Sequence, residues 1–114
     1  MGNDVSGVSI TPDGAYIAAA SEDQHLHLFG EGGVVIFDYH SPQSIKSVAI
    51  TPDGRTIVAG LMNRSVVMLD RTGKTVGQFQ TSGIINAMRI TDDGSLLVTG
   101  TNFGDVACYP IPRM

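Results

Sequence analysis

Val48-Ala49-Ile50-Thr51-Pro52-Asp53-Gly54-Arg55-Thr56-Ile57-Val58-Ala59-Gly60 decides the fold. An apolar stretch enters a tight turn and a small, continuously apolar stretch leaves it. The turn Thr51-Pro52-Asp53-Gly54 stands 40 residues after Thr11-Pro12-Asp13-Gly14 and 40 residues before Thr91-Asp92-Asp93-Gly94. The flanks return in the same frame: Val8-Ser9-Ile10, Val48-Ala49-Ile50 and Met88-Arg89-Ile90 before the turns, then Ile17-Ala18-Ala19-Ala20, Ile57-Val58-Ala59-Gly60 and Leu97-Val98-Thr99-Gly100 after them. Self-similarity at a fixed period of this length is the mark of a repeat architecture.

Within each repeat the pattern predicts short antiparallel strands. The first spans 5–11, 45–51 and 85–91. The turn follows: Pro presets φ at the first corner, Asp bonds its own backbone, and Gly accepts positive φ at the exit. The second strand does not alternate, so both its faces need cover, as in a sheet stacked between two others. The third strand spans 26–29, 66–69 and 106–109, after polar connections at Glu22-Asp23-Gln24, Asn63-Arg64 and Asn102-Phe103-Gly104-Asp105. A fourth, more polar strand spans 34–39 and 76–80. Four antiparallel strands every 40 residues, with buried faces and polar ends, describe a β-propeller blade.

The expected architecture is all-β, with three consecutive blades in one partial propeller domain (5–44, 45–84 and 85–114). The third blade lacks its outer strand, because Tyr109-Pro110-Ile111-Pro112-Arg113-Met114 carries two prolines that break ladder pairing. Three blades do not close a ring, and an open arc exposes two apolar sheet faces. The expectation is a homodimer completing a six-bladed ring, the rival being the remaining blades of a longer chain.

Here the residues resemble a known family. Val48 to Gly60 is similar to the first two strands of WD-repeat propellers, and Ser21-Glu22-Asp23-Gln24-His25-Leu26-His27-Leu28-Phe29 to their second corner and third strand. Asp23 fits the family's structural corner aspartate, where the second repeat has Asn63. The Trp-Asp pair that names the family is replaced by Phe29-Gly30, Leu69-Asp70 and Tyr109-Pro110, and the usual Gly-His pair is absent. The sequence stands between WD repeats and the broader quinoprotein-like and surface-layer propellers. With no Trp in the chain, the Trp-rich docking motifs of quinone-cofactor enzymes are missing, and no cofactor is expected.

Composition narrows the function. Hydrophobic residues make up 42% and charged residues 16%, a globular balance. The seven Lys and Arg are scattered and the net charge is −4, so no basic stripe offers a nucleic-acid surface. No apolar run approaches the length of a membrane helix. Met1-Gly2-Asn3-Asp4 shows no basic region leading into an apolar stretch, which favours the cytoplasm over secretion.

Reactive residues are few. His25 and His27 share one face of a strand, and two imidazoles so placed can share a metal, but the repeat frame supplies no third ligand, so they read as polar positions on a blade. His40, at the end of the fourth strand, is expected to face solvent. Asp13, Asp53, Asp92 and Asp93 read as turn formers, because calcium needs six to eight oxygens in one place. Cys108, in the column of Leu28 and Met68, reads as a small buried hydrophobe. The best binding surface is the mouth formed where the second-to-third-strand loops meet the connections between blades: Asp23, Gln24, Gln43, Asn63, Arg64, Asn102, Phe103 and Asp105. Arg64 and Phe103 carry the strongest signal there, since exposed Arg and aromatics dominate protein interfaces. The reading is a non-catalytic protein-binding or scaffold module. The alternatives are an enzyme of hydrolase or lactonase type with a channel site formed only in the assembled ring, and a structural piece of a larger surface protein.

Overall fold

In the computed structural model, which describes residues 5–21, 24–41 and 43–111, the repeated turns are built by the same bonds. The N–H of Gly14, Gly54 and Gly94 donates to the carbonyl of Thr11, Thr51 and Thr91 at 2.9, 2.8 and 2.8 Å. These glycines hold φ of 74°, 73° and 73°, the left-handed region in which a Cβ is strained. Each threonine hydroxyl donates to the aspartate two residues on, at 2.7 Å to Asp13, 2.7 Å to Asp53 and 2.6 Å to Asp93. The same hydroxyl accepts the N–H of Tyr16, Thr56 or Leu96 at 3.1 Å. The strands therefore end one residue earlier than expected, because the threonine is the first corner of the turn. Asp92 replaces the proline without changing the turn, so the Thr, Asp and Gly specify it.

Each repeat forms its own antiparallel sheet with strands in chain order. The first holds β1 (Val5–Ile10), β2 (Ile17–Ser21), β3 (His25–Phe29) and β4 (Val35–His40); the second holds β5 (Ile45–Ile50), β6 (Thr56–Leu61), β7 (Ser65–Asp70) and β8 (Thr75–Gln80). The third holds β9 (Ile85–Ile90), β10 (Leu96–Thr101) and β11 (Val106–Pro110), with no fourth strand among the described residues. A short 3-10 turn, Glu31–Gly33, lies between β3 and β4.

The sheets stack face to face in repeat order. Ala18, Ala20, Leu26 and Leu28 of the first sheet pack against Val48, Ile50, Ile57, Ala59, Val67 and Leu69 of the second. Residues 40 further on repeat the arrangement: Val58, Val66 and Met68 pack against Met88 and Leu97 of the third sheet. The middle sheet is covered on both sides, and β6 is buried at every position, as its unbroken apolar run implies. In β10 only Leu97 and Thr99 are buried, because a neighbour covers one face alone.

The same frame corrects the reading of Cys108, which is exposed. Its column faces the next sheet, as Leu28 faces the second and Met68 the third. No fourth sheet follows among the described residues, and Val106 beside it is 76% exposed where Leu26 and Val66 are at 0%. The opposite end of the stack is open in the same way: Val8 and Ile10 are 61% and 58% exposed, while Val48 and Ile50 are at 9% and 6%.

The turn aspartates carry a pH signature. The Thr51 hydroxyl, followed by the Arg55 N–H and nearby arginines, holds the Asp53 carboxyl below its ordinary 3.8. Asp13 is lowered first by the Ala15 N–H and then by the Thr11 hydroxyl. A carboxyl whose value falls on folding stabilises the fold above its unfolded value, and that stability is lost as pH drops through the folded one. The urea midpoint is expected to hold from about pH 7 to about pH 5 and to fall below about pH 4, and the Asp13→Asn/Asp53→Asn double variant to start lower and fall less. Parallel curves for the two proteins would remove the turns from the acid response.

Candidate functional site

At the end of the stack away from the Thr-Asp-Gly turns, the corners after β2, β6 and β10 meet the connections between sheets. Each connection is bonded to the corners on both sides. Ser41 N–H donates to the Gln24 carbonyl at 2.7 Å, and Met62 N–H to the Ser44 carbonyl at 2.8 Å. One repeat on, Thr81 N–H donates to the Arg64 carbonyl at 2.8 Å, and Asn102 N–H to the Ile84 carbonyl at 2.9 Å. Among the described residues, corners and connections are thus tied into one rim by backbone hydrogen bonds.

Equivalent residues of the corners adopt left-handed backbone: Gln24 at φ 74°, Arg64 at φ 69° and Gly104 at φ 85°. Glycine adopts this at no steric cost, whereas a side chain pays about 1–2 kcal/mol. Sites that keep such strain are enriched at functional positions.

Of the eight residues singled out for this surface, Asp23 lies outside the described residues. The other seven all lie on the rim, in differing roles. Asn63 closes its own corner, its Oδ1 accepting the Ser65 N–H at 3.2 Å. Asn102 and Asp105 hold the corner to the connection: Asn102 Oδ1 accepts the Ile84 N–H at 3.0 Å, and Asp105 Oδ2 accepts the Ser82 hydroxyl at 2.7 Å. Gln43 is exposed, its backbone bonded to the Ser41 hydroxyl. Gln24 is half-buried and Arg64 exposed. Phe103 is 71% exposed, its ring lying against Gly83, where an added Cβ would sit 2.8 Å from the ring. Arg64 and Phe103 thus present large side chains to solvent from a rim fixed by the others.

A second cluster lies on the open face of the first sheet. His25 and His27 share that face, as read from the sequence. Asp38 and His40 join them because β3 and β4 pair His25 with His40 and His27 with Asp38. His25 Nδ1 lies 2.8 Å from Asp38 Oδ1, and His27 Nε2 lies 3.6 Å from the same oxygen. The exposed His40 ring stacks on His25 at 4.8 Å between centroids. Sequence reasoning gave Asp38 no role; only the hairpin register brings it in. Among the described residues no three His, Cys, Asp or Glu side chains are arranged to hold a metal. Across β1, β5 and β9 runs a groove of about 490 Å³, walled by apolar residues with Ser9, Arg89 and Asp92 as its polar side chains. Ser9 Oγ is already engaged there, accepting the Ile50 N–H at 3.2 Å.

The sequence model of the WD domain, G-beta repeat, matches residues 2–29 and 33–70, more than half of the chain. The chain belongs to the WD-repeat family. The first matched segment takes in β1 to β3 and the second takes in β4 together with β5 to β7, ending where the family's Trp-Asp pair is Leu69-Asp70. In this WD-repeat chain Asp70 caps the turn after β7, accepting the N–H groups of Thr72 and Lys74 at 2.9 and 3.0 Å. WD repeats commonly serve in protein interaction and scaffolding. No curated protein matches the sequence.

Strain at the corners is open to measurement. Arg64→Gly is expected to raise stability by up to about 1 kcal/mol, the relief of left-handed strain outweighing the added chain entropy. Arg64→Ala, which keeps a Cβ, is expected to give no gain. Equal urea midpoints for the two variants would show that the corner is unstrained.

Proposed function

We propose that this WD-repeat protein is a non-catalytic protein-binding or scaffold module that engages its partner through the rim of corners and connections. The observation that carries this reading is the exposure of Arg64 and Phe103 on a backbone already held by hydrogen bonds. A partner then meets preorganised anchors and little ordering entropy opposes binding. Asp105, Asn63 and Asn102 support the surface, and Gln24 and Gln43 complete its polar border. The Arg64→Ala/Phe103→Ala double variant is expected to keep its melting temperature and to lose about 30-fold in affinity for a protein captured by the wild type, the scale of one strong interface anchor. Undiminished capture by the variant overturns the rim as the binding surface.

The reading includes closure of the ring by a second copy. The open face of the third sheet, with Val98, Val106 and Cys108, is the counterpart of faces that the chain buries twice against its own next sheet. The open face of the first sheet, with Val8 and Ile10, is the counterpart of the surfaces that receive them. Two copies joined third sheet to first, twice about a twofold axis, would bury both faces and give six blades. Light scattering on a sizing column is expected to give one species near twice 12.0 kDa. Val106→Asp is expected to give a folded species of half that mass. A well-folded wild-type monomer overturns closure and leaves the rim reading standing.

A further inference from the structure

The third corner departs from the repeat in two matched pairs. Phe103 and Gly83 stand where the second repeat has Asn63 and Gln43, and Asp105 and Ser82 stand where it has Ser65 and Pro42. The fold does not require these exchanges, since the second repeat builds the same corner without them. We infer that the corner of Phe103 and Asp105 seats an arginine side chain of the partner protein, its guanidinium lying on the Phe103 ring and pairing with the Asp105 carboxylate. This rests on the rim reading and names the chemistry of the partner.

Both groups are set by consecutive residues of one connection. Asp105 Oδ2 accepts the Ser82 hydroxyl at 2.7 Å. The Phe103 ring lies against the next residue, Gly83, where a Cβ would sit 2.8 Å from the ring and 2.6 Å from Asn102 Oδ1, so a side chain there would push the ring away. Within the corner the Thr101 hydroxyl accepts the N–H groups of both Phe103 and Asp105 at 3.3 Å. Ring and carboxylate thus leave a held backbone two residues apart, and a ligand has little to reorder.

Both groups keep capacity for a ligand. The ring is 71% exposed. Ser82 occupies one carboxylate oxygen, and among the described residues no cationic side chain pairs with Asp105. The absence of a fourth sheet does not account for this exposure. Met62, Asn63 and Arg64 are exposed in the second corner, although that sheet is covered on both sides. Asp105, in the column of Ser65 and Val67, points toward the sheet before its own, which is present.

An aromatic face beside a carboxylate attracts a cation twice over, through the ring quadrupole and through the charge. Arginine suits it better than lysine, because a planar guanidinium stacks on a ring while its N–H groups reach a carboxylate. The net charge of −4 draws a basic segment toward the chain. Arg64, on the neighbouring corner, asks for the opposite charge, so the two anchors set the orientation of the partner.

The test is an NMR titration of the chain with the peptide acetyl-Gly-Arg-Gly-amide and with its citrulline analogue, which keeps the shape of arginine without the charge. The arginine peptide is expected to bind in the millimolar range and to shift the amide signals of Phe103, Gly104 and Asp105, and the citrulline peptide to leave them in place. Asp105→Asn is expected to weaken binding about fivefold and Phe103→Leu about threefold, with signals away from the corner unmoved. Equal shifts from the two peptides, shifts confined to other parts of the chain, or full affinity in Asp105→Asn would overturn the inference. If the Arg64→Ala/Phe103→Ala variant still loses its captured protein in that case, the rim reading stands and the arginine assignment alone falls.

Discussion

Everything in this chain depends on the contact of one sheet face with the next. A single four-stranded sheet with apolar residues on both sides cannot be stable in water. Stacked, it buries each face against a neighbour. The contact is tight because its columns are small at the crowded places. Gly60 illustrates this, since a Cβ there would lie 3.4 Å from Ile85 Cβ of the next sheet. Ala18, Ala20 and Ala59, all at 0% exposure, serve the same close approach. Large residues stand beside them, Leu26 and Leu28 against Val67 and Leu69, and fill what the small ones leave.

Links between sheets at their ends reinforce this packing. At the Thr-Asp-Gly end, Arg71 donates from Nε to the Gly54 carbonyl at 3.1 Å and from Nη2 to the Asp53 carbonyl at 2.8 Å, while its guanidinium lies 4.5 Å from the centre of the Tyr16 ring. Tyr16 precedes β2 of the first repeat and Arg71 follows β7 of the second, so one cation–π contact ties two repeats together. At the other end the connections serve as the links, each bonded to two corners. The chain has thus placed its irregular backbone where hydrogen bonds already hold it, and the side chains that leave this backbone are free to vary from repeat to repeat. Gln24, Arg64 and Gly104 at one structural position show that variation.

Membership of the WD-repeat family without the Trp-Asp pair has a physical account. The turn from first to second strand is specified by threonine, aspartate and glycine, three times over. The corner at Leu69-Asp70 keeps an aspartate, which caps the following turn, and the Thr72 hydroxyl first among its contacts holds that carboxyl below its ordinary value. Aliphatic residues fill the space between sheets. The fold therefore rests on local turn chemistry and small-residue packing more than on a shared tryptophan network.

The period of 40 residues, the turn motif and the unbroken apolar run of the second strand were enough to predict three all-β units of antiparallel strands. These are legible because turns and strand alternation are local and repeat. The role of the turn threonine escaped because its bonds run both ways across the turn. Asp38 escaped because its neighbours come from hairpin register. Cys108 was misread as buried because a column in a repeat tells which way a side chain points and says nothing of whether another sheet stands there. The sequence by itself determined the unit and its direction of stacking, through patterns closed within each repeat. Only the tertiary structure decided which faces are covered among the described residues and which side chains converge, because those depend on neighbours brought together across the chain.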